Sequence, residues 1–281
     1  MVKVITDKIS QRDKYRAGEK YRKTLRGYQL RKDILDAMFY AIDVKSLPKD
    51  KRILMMDVGC GPGIVGDYVY RKIKIEHRLS PLMIFADINE KMLKAVPKKF
   101  DYITVKNDIT NLQFPDNFFD VVVMKQVLHY LPKFLKIKAL KEVHRVLKNK
   151  GQFVFSVLVS VDDDSNRLVN ELYTKREEII AQQVAMKKYI PTRKTLFEWL
   201  QKAGFKQKEE VYLYDIPLTA LDYQESFGLN KLQTNKLNEL YRKIFNKDIK
   251  KAYRGRIITK GKYAGYAELI DKGLIVKCVK E

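Results

Sequence analysis

Three short apolar runs, each closed by a charged residue, set the pattern of the first half of the chain. Ile53 to Met56 ends in Asp57, Pro81 to Ala86 ends in Asp87, and Phe119 to Met124 ends in Lys125. A fourth run, Gln152 to Val159, follows the turn Lys148-Asn149-Lys150-Gly151. Such runs read as buried strands. Between them the pattern becomes helical, after Gly63 and again in the stretch holding Glu142-Val143-His144-Arg145-Val146-Leu147. Upstream, Gln11 to Ile42 predicts one or two helices, with Ala17-Gly18 and Gly27 as weak points. Downstream, Asp162-Asp163-Asp164-Ser165 reads as a helix start, its acids at the favourable end of the dipole, with helix expected over 166–188. Thr192 to Thr195 starts another helix, Leu196 to Ala203, which ends at Gly204. Glu210 to Leu213 predicts a strand and Leu218 to Lys251 a mostly helical stretch. Gly273 to Val279 predicts a last strand, with Tyr263 to Ile270 pairing nearby.

Candidate chemistry gathers first at Asp57-Val58-Gly59-Cys60-Gly61-Pro62-Gly63. Glycines directly after a strand let the backbone turn tightly and approach a ligand that a side chain would block. A helix starting after Gly63 points its N-terminus at the same place. A nucleotide-like cofactor is the expected ligand. Gly61-Pro62-Gly63-Ile64-Val65-Gly66 also satisfies the G-x-G-x-x-G pattern of dinucleotide sites, which chance often produces. Asp57 argues for something else: an acid before the first glycine repels a pyrophosphate and suits a ligand with positive charge, such as an ammonium or a sulfonium. Asp87, closing the second run, is placed to accept hydrogen bonds from two ribose hydroxyls.

The same order of features continues. Asp87-Ile88-Asn89 is followed by Lys106-Asn107-Asp108-Ile109, by Phe114-Pro-Asp-Asn-Phe-Phe-Asp120, by Val127-Leu128-His129-Tyr130-Leu131 and by Arg145-Val-Leu-Lys-Asn-Lys-Gly151. Over residues 50–160 this succession resembles the class I S-adenosylmethionine-dependent methyltransferases, in the broad group that includes the ubiquinone/menaquinone biosynthesis methyltransferases. The resemblance implies an α/β fold: a Rossmann-like, doubly wound, mainly parallel seven-stranded sheet with helices on both faces, its last strand antiparallel. It also implies an N-terminal helical segment and helical insertions. Residues 1–45 would form a helical cover, 46–160 the cofactor-binding core, and 161–281 the rest of the same catalytic domain. Insertions at 161–190 and 215–256 would cover the acceptor.

The resemblance also assigns roles, with S-adenosyl-L-methionine as cofactor and S-adenosyl-L-homocysteine as product. Asp57 and the loop residues Gly59, Cys60, Gly61 and Gly63 would lie near the methionine part. Asp87 would hold the ribose, with Ile88 against the adenine. Asp108 would accept from the adenine amino group, with Ile109 stacking nearby, and Lys125 would line the mouth of the site. The alternatives are a simple turn cap for Asp108 and a solvated charge for Lys125. Methyl transfer from a sulfonium is an in-line displacement, so the protein mainly positions two reactants and excludes water. A base is required only where the acceptor must lose a proton. His129 is the candidate catalytic base, its alternative being a helix-start residue packed beneath the pocket. Tyr15, Tyr21 and Tyr130 are candidates for shaping the acceptor pocket. No His/Cys cluster has metal-ligand spacing, and the triple Asp162–Asp164 reads as a solvated helix start, so no metal is expected.

Charge changes the picture most among the bulk properties. The 281 residues carry a formal net charge of +22, with 46% hydrophobic content. Residues 1–32 hold eleven Lys or Arg against three acids, interleaved with Tyr15, Tyr21 and Tyr28. Tyr241 to Lys262 is similar. Two of the three expected walls of the acceptor pocket are therefore basic. The expected reaction is O-, C- or N-methylation of a small, anionic acceptor. The alternative acceptors are tRNA or another RNA, held by the basic surface, and a substrate on an acidic acyl carrier protein. A non-catalytic interaction module would show a damaged glycine loop, and this loop is intact. No apolar run reaches the roughly 20 residues of a membrane span. The start of the chain lacks a signal-peptide core, and two cysteines offer no disulfide framework, so the expectation is a cytoplasmic protein. Met124-Lys125-Gln126-Val127 lacks the Asn/Asp-Pro-Pro-aromatic motif of adenine or glutamine amine methylation. Neither cysteine is placed as the nucleophile of cytosine C5 methylation, and two are too few for arsenite chemistry.

Overall fold

The apolar runs are apolar at successive positions because each is buried twice. Met55, Met83, Phe85, Val121, Val123 and Val154 face one side of a sheet; Met56, Ile84, Ala86, Val122, Met124, Phe153 and Phe155 face the other. Strands covered on both faces lose the alternation of a half-exposed strand. The structure is a computed structural model that describes residues 30–160, 162–181, 189–245 and 254–281. Tyr15, Tyr21 and most of the expected N-terminal helices lie outside the described residues.

In chain order the elements are α1 (Lys32–Tyr40), β1 (Ile53–Val58), α2 (Ile64–Glu76), β2 (Pro81–Asp87), α3 (Glu90–Lys94), β3 (Tyr102–Lys106), β4 (Phe119–Lys125), α4 (Lys133–Val146) and β5 (Leu147–Val159). There follow α5 (Asp163–Ala181), α6 (Arg193–Ala203), β6 (Gln207–Thr219), α7 (Ala220–Phe227), α8 (Lys231–Phe245), β7 (Arg254–Ile257) and β8 (Ala267–Val279). The sheet order is β3-β2-β1-β4-β5-β8-β6, with β7 paired to β8 off that path. The first five strands of the path are parallel, and β8 runs antiparallel to β5, β6 and β7. This is the expected seven-stranded doubly wound path with a short strand added. Apolar residues of α1, α2, α5, α7 and α8 cover one face, and those of α4 and α6 cover the other.

The motifs that looked like chemistry are partly scaffold. Arg145 is a clasp: its guanidinium donates to Leu112 O and Phe114 O, both at 2.8 Å, and also meets Asp116 and Glu142. It thereby satisfies carbonyls of a loop that has no ladder of its own. Asp120 accepts from the Leu54 N–H and from Lys148 Nζ, each at 2.8 Å, tying β4 to β1 and to β5.

Several boundaries differ from expectation. Lys148 to Gly151 is not a free turn: it lies within β5, as an irregularity in pairing with β4, and Lys150 N–H donates to Lys280 O. β3 offers no buried apolar run, because its Ile103 and Thr104 are exposed. β6 and β8 each have thirteen residues, far longer than the expected Glu210 to Leu213 and Gly273 to Val279. Residues 215–219 and 254–256, expected within a helical insertion, are strand. The extra length has a structural purpose. Lys272 pairs with Val159, the last residue of β5. Ala267 to Asp271 therefore continue past the carboxyl ends of the parallel strands, carrying β7 and packing against α8.

A buried polar cluster holds this extension to α5. Arg176 and Asp271 are 3% and 4% exposed, with Nη1 and Oδ2 3.2 Å apart. Tyr173 OH donates to the same Oδ2 at 2.6 Å, and the guanidinium stands 3.7 Å from the Tyr173 ring centroid. Among the described residues, no helix is long and apolar enough to cross a membrane. Removing one member of a buried ion pair strands the other, which typically costs about 3–5 kcal/mol. Asp271→Ala is expected to lower unfolding free energy by about that amount, measured by urea denaturation; a loss under about 1 kcal/mol would mean that Arg176 is solvated in solution.

Candidate active site

β1 has β2 on one side and β4 on the other, so the chain reverses its direction of travel across the sheet at β1. A crevice opens at the carboxyl ends of the strands at such a point, the usual ligand position in open α/β sheets. Asp57, Asp87 and Lys125 all sit at that edge, at or next to the ends of β1, β2 and β4. The sequence thus placed three charges at one end of the sheet without adjacency in the chain.

The glycine loop is held by backbone and by one acid. Gly59, Gly61 and Gly63 take φ of +66°, +53° and +78°, the left-handed region that favours glycine. Gly59 and Cys60 N–H groups donate to Ala86 O at 2.7 and 3.1 Å. Asp87 accepts from Gly61 N–H through Oδ2 and from Asn89 N–H through Oδ1, both at 2.8 Å. Asp57 Oδ2 accepts from Gly66 N–H at 2.8 Å, in the first turn of α2, whose N-cap is Gly63. A Cβ on Gly59 would come within 2.3 Å of Val127 Cγ2, so only bare backbone fits against the end of β4. A glycine-rich loop and two acids suit an adenosyl sulfonium, and the helix N-terminus suits the carboxylate of its methionine part.

The remaining predicted residues fall around this loop. Ile88 and Asp108 are half-buried. Asp108 Oδ1 accepts from Thr110 N–H and Oγ1 at 2.8 and 2.9 Å, forming the turn 108–111. Ile109 is buried with Met56 and Ile84 in the core below. Cys60 is buried, and burial holds its thiol well above the ordinary range, so it is no nucleophile. His129 and Tyr130 lie in the single 3-10 turn Leu128–Tyr130 after β4, their ring centroids 4.1 Å apart. His129 is 6% exposed and Tyr130 half-buried. The fully buried ammonium of Lys136 donates to Leu128 O from beneath, pinning that turn. Among the described residues, no group of three or more His, Cys, Asp or Glu could hold a metal ion.

Electrostatics sets the site apart from the rest of the sheet. Burial pushes the Asp57 carboxyl up to about 7, helped by the charge of Asp87 and opposed by the Gly66 N–H and Lys125. Burial also pulls the half-buried Lys125 ammonium down to about 7, helped by Arg31 and opposed by Asp57. Arg31 was not singled out from the sequence, and neither were Gln126, Ser156 and Tyr214, which form a buried hydrogen-bonded trio beside Lys125. Gly273, a glycine inside an apolar run, was the one available sign of that trio.

Asp57, with an unfolded value of 3.8, makes the native state the better proton binder between about pH 4 and 7. Stability therefore falls as pH rises through that window. Lys125 acts oppositely: from about 7 up to its unfolded 10.5 the unfolded chain binds more protons, and stability recovers as pH rises. Asp57→Asn is expected to flatten the fall between about pH 4 and 7 and to raise the thermal midpoint at neutral pH. Thermal melts across that range check it, and an unchanged profile would assign the slope to other groups.

Known proteins with the same features now bear on the crevice. Residues 56–155 match the family described as Methyltransferase domain. The chain is 31% identical over 107 residues to the ubiquinone/menaquinone biosynthesis C-methyltransferase UbiE of Rickettsia bellii, covering 36% of this chain and 42% of that one. It is 25% identical over 156 residues to the tRNA U34 carboxymethyltransferase of Nautilia profundicola, covering 54% of this chain and 47% of that one. The chain thus spans less than half the length of either relative. The fold is that of the YcgJ protein of Bacillus subtilis, with a TM-score of 0.66 at 14% identity, covering 88% of this chain and 98% of that one. With its glycine loop, its paired acids and its sheet order, the chain carries a class I S-adenosylmethionine-dependent methyltransferase domain, and S-adenosylmethionine is the cofactor of that domain.

Proposed function

We propose that the protein transfers a methyl group directly from S-adenosylmethionine to a small acceptor that carries negative charge. The observation behind this reading is the pair of cations at the crevice. Lys125 closes β4, and Arg31 comes from the segment before α1, near enough for its charge to weaken proton binding by Lys125. An anionic acceptor would restore full protonation of Lys125 and be held by it. Asp87 would take the ribose hydroxyls, and Asp57 and Asp87 would place negative charge around the sulfonium. The covering segments would exclude water while the two reactants are held in line. For an acceptor that must lose a proton, His129 is the base on the acceptor side.

A second reading, methylation of tRNA, rests on a separate observation. The likeness to the tRNA U34 carboxymethyltransferase covers 54% of this chain, against 36% for the quinone enzyme, so it extends beyond the methyltransferase domain. The charge of +22 would serve a phosphate backbone as well as a small anion.

Incubation with S-adenosylmethionine carrying a labelled methyl group, and with an RNA fraction or a low-molecular-weight extract of the source cells, separates the two. Label is expected in the low-molecular-weight fraction; label in RNA alone would replace the first reading with the second. Once the acceptor is known, His129→Ala is expected to lower kcat by on the order of a hundredfold with S-adenosylhomocysteine affinity retained. A change under about threefold would leave His129 as a packing residue.

A further inference from the structure

Tyr214 stands on β6, the edge strand farthest from the glycine loop, yet it reaches the site. Its partner on β8 is Gly273, and the ring lies across that glycine: a Cβ there would come within 2.2 Å of Tyr214 Cζ. Any other residue at 273 would close the path. Having crossed β8, the Tyr214 hydroxyl meets Ser156 Oγ on β5 and accepts from Gln126 Nε2 at 3.1 Å. Gln126 Nε2 also donates to Ser156 Oγ at 3.1 Å. Tyr214, Ser156 and Gln126 are all buried.

Gln126 is the residue through which this trio acts. It follows β4 with φ of +59°, a left-handed backbone that a non-glycine residue adopts only when its surroundings hold it. Its N–H donates to Ser156 O at 2.8 Å and its side chain is held by Tyr214 and Ser156. The next residue is Val127, whose methyls occupy the space that a Gly59 side chain would need. The connection therefore runs from Tyr214 through Gln126 and Val127 to the glycine loop. On its other side, the Arg31 guanidinium stands 5.7 Å from the Tyr214 ring centroid, and Arg31 Nη1 donates to Asp215 O. Hydrogen bonds of this kind add little net stability over apolar packing of the same shape, so a buried polar trio at a strained turn is better explained by placement than by stability.

We propose that Tyr214 is a positioning residue of the cofactor site: its hydroxyl, through Gln126, sets the left-handed turn that presses Val127 against Gly59. The proposal rests on the reading of the crevice as an S-adenosylmethionine site.

The test is calorimetric titration of the full chain with S-adenosylhomocysteine, alongside thermal melts. Tyr214→Phe keeps the ring and removes the hydroxyl; it is expected to weaken binding about tenfold or more. Ser156→Ala is expected to do the same with the ring left in place. Gln126→Asn tolerates the left-handed backbone but falls short of Tyr214, and is expected to match Tyr214→Phe. Tyr214→Phe combined with Gln126→Asn should bind no more weakly than the weaker single variant, since both break one connection. Tyr173→Phe, which removes the hydrogen bond to Asp271 in the Arg176 cluster, should lower the melting temperature without altering affinity. Tyr214→Phe within twofold of wild type, or additive losses in the double variant, would overturn the positioning role alone. Failure of the wild type to bind would overturn the cofactor reading along with it.

Discussion

The close approach of the glycine loop to the end of β4 is the constraint on which the site depends. Gly59 and Val127 come so near that no side chain fits between them. The loop must therefore be glycine-rich, must hang from Ala86 O and Asp87, and must leave its own backbone facing the crevice. Once that contact is fixed, the residue before Val127 has to adopt the left-handed backbone seen at Gln126, and something must hold it there. Loop, acids and strand end are one assembly rather than separate motifs.

The second constraint is charge in a dry place. Asp57 is nearly fully buried, and Lys125 half-buried near it; each shifts toward its neutral form, and each is partly rescued by the other. Such a pair is a poor choice for stability, because burying charge costs more than the pair returns. It is a good choice for the proposed site, which would accept a sulfonium on one side and an anion on the other. Residues that destabilise a fold while preparing it for a ligand are the usual compromise at active sites.

Much of the core was legible because it obeys local rules. β1, β2 and β4 announced themselves as apolar runs, and Asp57, Asp87 and Lys125 as the charges that end them. Thr192 and Gly204 marked the ends of α6 as predicted, the first by accepting from Thr195 N–H and the second by its left-handed backbone. What could not be read depends on distance in the chain. Tyr214 and Ser156 are separated by 58 positions, and Arg176 and Asp271 by 95. β3 lies at the sheet edge, where polar residues are tolerated, so its pattern faded. The turn 148–151 looked free because its partner Lys280 stands at the other end of the sequence.

The residues that tie the far end of the sheet to the site are the least legible, and β8 shows why. Three consecutive positions in it serve three different parts of the molecule. Asp271 holds Arg176 and Tyr173 in the cover, Lys272 pairs with Asp215 at the edge, and Gly273 makes room for Tyr214. A strand alternates its side chains, so neighbours along it necessarily face different surroundings. Positions two apart share a face, so in β8 Asp271 and Gly273 set the cover contact and the seat of Tyr214 side by side, within about 7 Å of strand. The residue that anchors the extension to α5 and the glycine that seats Tyr214 are thus neighbours on one face of the same strand.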